Sequence, residues 1–303
     1  YRPRREGTRL FGAEINNMKA AVAGMIGACA ALAGAREAFG GRVILSAVIG
    51  ECDALGLGTT FMLENGLRAE FAINGEPTDL AVMTAHSGVT QARLAVRGRA
   101  AHVCQRKDGV DAIAGLVRLL AGLDERRLTF TPHPAFPGLP TLNVGVIAGG
   151  SLPSMLAGQA EALIDVRTVP GMTPESVADD LVRHVLRVRG EDPTVEAEVR
   201  LLERPRFVQQ RPFLMDPDHP VVLAVAGAHA RIVGARPAVG TLHPQVFFGT
   251  DASHLLAAGI PTAIYGPGRV EDINAVEESI AIADVVTAAR VYLAAALELC
   301  APR

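Results

Sequence analysis

The chain has little of what would tie it to an oxidising compartment, a polyanion or a bilayer. Only four cysteines, Cys29, Cys52, Cys104 and Cys300, are spread over 303 residues, and none forms a Cys-x-x-Cys pair. Such spacing argues against a disulfide framework and favours a reducing cytoplasm. Neither sign of charge dominates: 29 Lys and Arg stand against 32 Asp and Glu, for a net charge of -3. A balance this even gives no electrostatic reason to expect a nucleic acid or an anionic membrane as partner. The basic opening Arg2 to Arg5 is short and reads as a solvated arm. Long apolar runs are also missing. Ala20 to Ala35 is Ala-rich but broken by Gly24, Gly27 and Gly34, so a packed helix is expected rather than a membrane span. No signal-peptide pattern opens the sequence, whose first residue is Tyr1. Internal repeats and low-complexity linkers are absent.

Apolar residues make up 49% of the chain, enough for a sizeable core, and the length suggests two domains. Asn17 to Ala33 carries apolar and small residues on all sides, as a helix buried in an α/β layer does. The run Val43 to Ile49 reads as a buried strand, Thr59 to Gly66 as a helix and Phe71 to Ile73 as a strand. This alternation predicts a mostly parallel sheet with helices on its faces. The pattern then changes. Gln91 to Val96 alternates polar and apolar residues, Gly109 to Leu123 is an amphipathic helix, and Thr141 to Ala148 and Ala160 to Val166 are strands. A helix over Pro174 to Val188 and a strand over Thr194 to Leu202 follow. Strand, helix, strand, strand, helix, strand is the order of a ferredoxin-like unit. It is expected as an inserted α+β domain over 87–203, within an α/β domain formed by 1–86 and 204–303. After it come a helix over Pro220 to Val233, a strand over Gln245 to Phe248 and a helix over Ala252 to Ala258. A strand over Thr262 to Tyr265 and a closing helix over Ile282 to Leu299 complete the pattern.

Gly50-Glu51-Cys52-Asp53 follows the expected strand at Val43 to Ile49. Acidic groups just past the carboxyl end of such a strand lie where open α/β sheets place their active sites. Six further segments accompany it in order: Leu10 to Lys19, Gly75-Glu76-Pro77-Thr78, Gly98 to His102, Asp165-Val166-Arg167, Thr250-Asp251 and Gly266-Pro267-Gly268. From Thr8 to Cys300 this succession resembles the zinc-dependent aminoacylase, acetylornithine deacetylase and succinyl-diaminopimelate desuccinylase family, which includes carboxypeptidase G. The resemblance implies a zinc-exopeptidase-like α/β catalytic domain with an inserted ferredoxin-like lid. It also implies a homodimer formed through that lid, zinc as cofactor, and an N-acyl amino acid or similar small amide as substrate.

Residue by residue, the resemblance makes Glu51 the group that activates water. Glu76 falls at an intact metal-ligand position. Cys52 stands where the family has a metal-binding glutamate; it is open whether that thiol is inert and buried, a zinc ligand, or a nucleophile beside Glu51. Asn17 occupies the place of the metal-bridging aspartate. Alignment on Glu278 puts Asn274 at the place of the last histidine ligand. A neutral amide is a poor substitute at either position. The family's remaining ligands, in a His-x-Asp segment, fall upstream of Thr8. This sequence holds none there, so that part of the catalytic domain is either lost or outside the sequence read. An ordinary dinuclear zinc centre is therefore not expected. His102 corresponds to the histidine that helps polarise the scissile carbonyl, and Arg167 to the arginine that grips a substrate carboxylate. Ser154 stands at a substrate-contacting asparagine, and Gly266 and Gly268 belong to the loop around the pocket. Three functions follow: an amidohydrolase, a metal-free relative that transfers an acyl group, or a ligand-binding homologue without turnover.

Overall fold

The computed structural model describes residues 2–52, 54–202, 208–273 and 275–301. It forms two compact units, Tyr1–His86 with Phe213–Arg303, and Ser87–Pro212. The expected boundary at Glu203 lies outside the described residues, as does Asn274.

The 87–212 unit is an antiparallel sheet in the order Glu196–Leu201, Gly88–Arg97, Gln159–Thr168, Thr141–Gly149. Strand Gln159–Thr168 buries every second residue, Ala160, Ala162, Ile164 and Val166, as the two-residue period of a half-covered strand requires. Helices Ala112–Ala121 and Pro174–Glu191 pack against this sheet. Their buried residues recur at helical spacing: Leu116 and Leu119 on one, Val177, Leu181, Val185 and Val188 on the other. Each large aliphatic side chain so buried contributes roughly 1.5–3 kcal/mol. The second helix starts at a reciprocal cap, in which Thr173 Oγ1 accepts from Ser176 N and Ser176 Oγ accepts from Thr173 N. Among the described residues, strand Thr141–Gly149 is an edge of the sheet, with Val146 and Ile147 exposed.

The other unit is built on a sheet in the order Val239–Gly240, Val82–Met83, Thr262–Ile264, Ala72–Asn74. Its outer pairs are parallel, and Thr262–Ile264 meets Val82–Met83 antiparallel. Met83, Ile264, Tyr265, Phe213, Val225 and Tyr292 form the core between this sheet and helices Pro220–Val233 and Ile282–Leu299. Helix Ala20–Gly34 packs on Ile282–Leu299. At the end of strand Ala72–Asn74, a Cβ on Gly75 would lie 2.8 Å from Met25 Cε and 2.9 Å from Ala21 Cβ. Only glycine lets the strand leave the sheet this close to the helix.

Five sequence expectations are corrected here. Val43 to Ile49 is not a strand, and among the described residues no strand pairs with it; Ile44, Leu45 and Ile49 are exposed. An apolar run acquires the buried-strand state only when neighbours cover it. Gln245–Phe247 is a 3-10 turn rather than a strand, closed by Val246 N to Leu242 O and Phe247 N to Pro244 O, and Val239–Gly240 takes the sheet position instead. Helix Ala20–Gly34 buries one face only, through Ala20, Ala21, Gly24, Ala28 and Leu32, and leaves Ile26 exposed. Together with the preceding turn, Ile15–Gly34 is in fact long and apolar enough to cross a bilayer by length and composition, although its inner face packs on a neighbouring helix. The basic opening is not a free arm: Arg4–Glu6 pairs with Arg9–Phe11, which pairs with Ser279–Ala281.

Candidate functional site

Glu51 and Cys52 sit at the start of a tight loop. Gly56 N and Leu57 N both donate to Gly50 O, at 3.1 and 3.2 Å, and Gly58 N donates to Ile49 O at 3.1 Å. These bonds bring Gly56 to Gly58 back against Ile49 and Gly50 at the start of helix Leu57–Glu64. Cys52 is exposed rather than buried, and its thiol donates to Glu51 Oε2 at 3.1 Å. Asn17 lies in an irregular turn ahead of helix Ala20–Gly34 and directs its Nδ2 toward Cys52 Sγ at 3.8 Å. The structure thus brings Asn17, Glu51 and Cys52 together.

Glu76 is close by and buried, 4% exposed. Its carboxyl is pushed well above the usual range, first by burial and then by the negative charges of Glu51 and Asp251; a hydrogen bond from Asn74 Nδ2 at 3.1 Å pulls the other way. Three carboxyl groups therefore share one neighbourhood. The loop Gly266 to Gly268 wraps Glu76. A Cβ on Gly266 would lie 2.5 Å from Glu76 O, and Gly268 has φ +98° with Asn16 Oδ1 2.7 Å from where its Cβ would be. Thr78 ties the two loops, as its Oγ1 accepts from Gly266 N at 3.0 Å. Gly266 is thus required by close backbone approach, and Gly268 by its positive φ.

The other expected residues lie in the 87–212 unit. His102 is exposed on strand Ala101–His102, and its Nδ1 accepts from Cys104 N at 3.2 Å. Ser154 is its near neighbour, since Val103 N donates to Ser154 O at 2.9 Å. Arg167 is half-buried on strand Gln159–Thr168, and its Nε donates to Asp165 Oδ1 at 2.7 Å. Asp165 Oδ2 in turn accepts from Gln91 Nε2 at 3.0 Å.

The donor set does not fit the dinuclear zinc centre that the resemblance implies. Asn17, at the bridging position, is a neutral amide whose nitrogen faces the Cys52 thiol. Among the described residues, no group of three or more His, Cys, Asp or Glu is arranged to hold a metal ion. Zinc asks for charged carboxylate, thiolate or imidazole donors in a closed shell.

The sequence reading placed Thr250-Asp251 among the segments of the site but gave it no partner. Asp251, 5% exposed, accepts a hydrogen bond from Thr59 Oγ1 at 2.6 Å through Oδ2, while its Oδ1 has no partner among the described residues. Burial raises its pKa. His254 Nε2 donates to Leu55 O at 2.7 Å. Thr59 and Asp251 are 192 positions apart, so no local pattern could couple them.

The sequence profile of the peptidase dimerisation domain of the M20 type matches residues 84–192. An acetylornithine deacetylase of Myxococcus xanthus is 30% identical over 251 residues, covering 81% of this chain and 62% of that protein. The chain thus spans about three fifths of that relative's length. A Bacillus subtilis N-formyl-4-amino-5-aminomethyl-2-methylpyrimidine deformylase is 27% identical over 97% of this chain and 72% of its own length. The fold matches that of aminopeptidase PepT from Bacillus cereus with a TM-score of 0.75 at 18% identity, covering 98% of this chain and 76% of that one. It also matches an M20 family metallo-carboxypeptidase from Sulfolobus solfataricus with a TM-score of 0.69 at 15% identity, over 97% and 78%.

Proposed function

We propose that this chain, similar to M20 metallopeptidases in fold and matching their dimerisation domain over residues 84–192, hydrolyses a small amide, releasing an acyl group from an amine. The observation that carries this reading is the Glu51 carboxylate standing beside Glu76 and the Gly266 loop, in a chain whose relatives remove acetyl and formyl groups. Glu51 accepts a proton from water as the water oxygen bonds to the amide carbon. The carbon–nitrogen bond then breaks, and the same carboxyl returns the proton to the departing amine. His102 is proposed to donate to the carbonyl oxygen as it gains charge, and Arg167 to pair with a substrate carboxylate. Ser154, beside His102, is proposed to contact substrate as well. The substrate class is an N-acyl amino acid or a similar N-acylated amine.

A second reading, a ligand-binding homologue without turnover, is favoured by the amide at Asn17 and the poor donor set. Acyl transfer to an acceptor other than water would use the same Glu51. The free thiols of Cys29, Cys104 and Cys300 support a reducing compartment, proposed as the cytoplasm. The sheet edge at strand Thr141–Gly149 supports a homodimer.

The test is release of free amine from N-acetyl-L-ornithine, N-acetyl amino acids and an N-formylated aminomethylpyrimidine. Glu51→Gln is expected to lower kcat by about 10²–10⁴-fold, the span of general acid–base catalysis, with substrate binding retained. Tight binding without amine release would favour the second reading. Because a neutral amide stands at Asn17, EDTA is expected to leave the rate unchanged; loss restored by zinc would overturn that expectation.

A further inference from the structure

We propose that Asp251, Thr59 and His254 form a clamp that positions the Glu51 loop. The backbone bonds from Gly56, Leu57 and Gly58 to residues 49 and 50 close the loop on itself, but they do not orient it against the rest of the unit. That orientation comes from the helix Ala252–Ala257 and the residue before it. His254 Nε2 donates to Leu55 O at 2.7 Å, which fixes a hydrogen on that ring nitrogen. Thr59 Oγ1 donates to Asp251 Oδ2 at 2.6 Å, and both residues are buried. Between these two bonds lies Gly56, with φ +96°. A Cβ there would lie 2.6 Å from Asp251 Oδ1 and would overlap the His254 ring. Leu55 itself is held at φ +52°, a left-handed conformation that a leucine keeps only when its surroundings fix it. Three contacts from one short helix region thus fall on a five-residue stretch, Leu55 to Thr59, just after Glu51 and Cys52. The same short helix leads into strand Thr262–Ile264 and on to the Gly266 loop that wraps Glu76. The clamp therefore couples the two halves of the carboxyl cluster. These are positioning residues: they act on Glu51 through the backbone, and the catalytic part of the inference rests on the proposed role of Glu51.

The experiment uses the full chain and two pairs of variants. Thr59→Val and His254→Phe each remove one bond at similar volume, while Thr59→Ser and His254→Gln keep the hydrogen-bonding group. The thiol of Cys52, adjacent to Glu51, reports the loop. Its alkylation rate by iodoacetamide, resolved by peptide mass spectrometry, is taken as a ratio to that of exposed Cys104 in the other unit. Local opening in Thr59→Val and His254→Phe is expected to change this ratio about threefold or more, with Thr59→Ser and His254→Gln returning it toward the parent value. Where the parent releases amine, kcat is expected to fall by up to about a hundredfold at unchanged KM, the scale of a small misplacement of a reacting group. A Cys52 ratio unmoved in both removal variants overturns the clamp, whatever happens to kcat. A parent without turnover on any amide defeats the hydrolase reading alone, because the Cys52 ratio still reports the clamp.

Discussion

Gly56 shows how tightly a single position can be fixed. Its φ of +96° lies in the left-handed region, and the space where a Cβ would go is taken by Asp251 and His254. Gly56→Ala therefore meets both backbone strain and a steric clash with buried groups. It is expected to cost about 2 kcal/mol or more, read as a lower urea midpoint at unchanged slope. A loss below about 0.5 kcal/mol would place the substitution among ordinary surface changes and show that the loop moves aside without penalty. At this scale the sequence reading was uneven for physical reasons. Glu51, Cys52 and Glu76 stand in short contiguous segments, and the structure places them near one another with Asn17. The burial imagined for Cys52 could not be judged from its neighbours, since exposure depends on what lies across from it, and the thiol proves exposed. The bond between Thr59 and Asp251 was not legible at all, because it joins residues 192 positions apart through side chains common in any loop.

Among the secondary-structure elements, helix Pro174–Glu191 makes the clearest physical prediction. His184, on its buried face, donates from Nε2 to Leu119 O at 2.8 Å, while Arg187 Nη2 lies 3.5 Å from Nδ1. Burial lowers the His184 pKa first, Arg187 and Arg127 lower it further, and the Leu119 carbonyl and Asp124 oppose them. A histidine whose folded pKa lies below its unfolded value takes up its proton first in the unfolded chain. Stability is thus full above the ordinary histidine value near 6.5 and falls with pH between that value and the lowered folded one. His184→Gln, which keeps a donor for Leu119 O, is expected to flatten the fall in melting temperature between pH 7.5 and pH 5, measured by calorimetry. An equal fall in parent and variant would assign the acid loss to other groups. Amphipathic helices and alternating strands of the 87–212 unit were legible because their periodicity records which face is covered. Gln245–Phe247 was not, since a short apolar run between Pro244 and Gly249 satisfies a strand and a tight turn equally well. Val43 to Ile49 failed for a different reason: its composition records a covered state, and among the described residues nothing pairs with it.

For the whole molecule, the fold class was the most legible feature, because it rests on the order of many elements rather than on any one. The mixed α/β architecture and its M20-type neighbours agree with that reading. Assembly is a prediction at this scale. Among the described residues, strand Thr141–Gly149 is an edge of its sheet, nine residues long, with Val146 and Ile147 exposed on it and Leu142 N bonded to Glu125 Oε1. An exposed edge of this length is a template for pairing with a second copy. Light scattering after gel filtration is expected to give twice the chain mass for the parent and the single mass for Val146→Arg combined with Ile147→Asp. A parent that elutes at the single mass at micromolar concentration would refute the homodimer.

The apolar run Val43 to Ile49 has a consequence for anyone who heats or refolds this chain. Its exposed Ile44, Leu45 and Ile49 side chains, in a β-branched segment without charge, are what a growing cross-β stack recruits. Precipitation at warm temperature should accordingly be seeded, should bind amyloid dyes, and should be delayed by a lysine placed at Leu45.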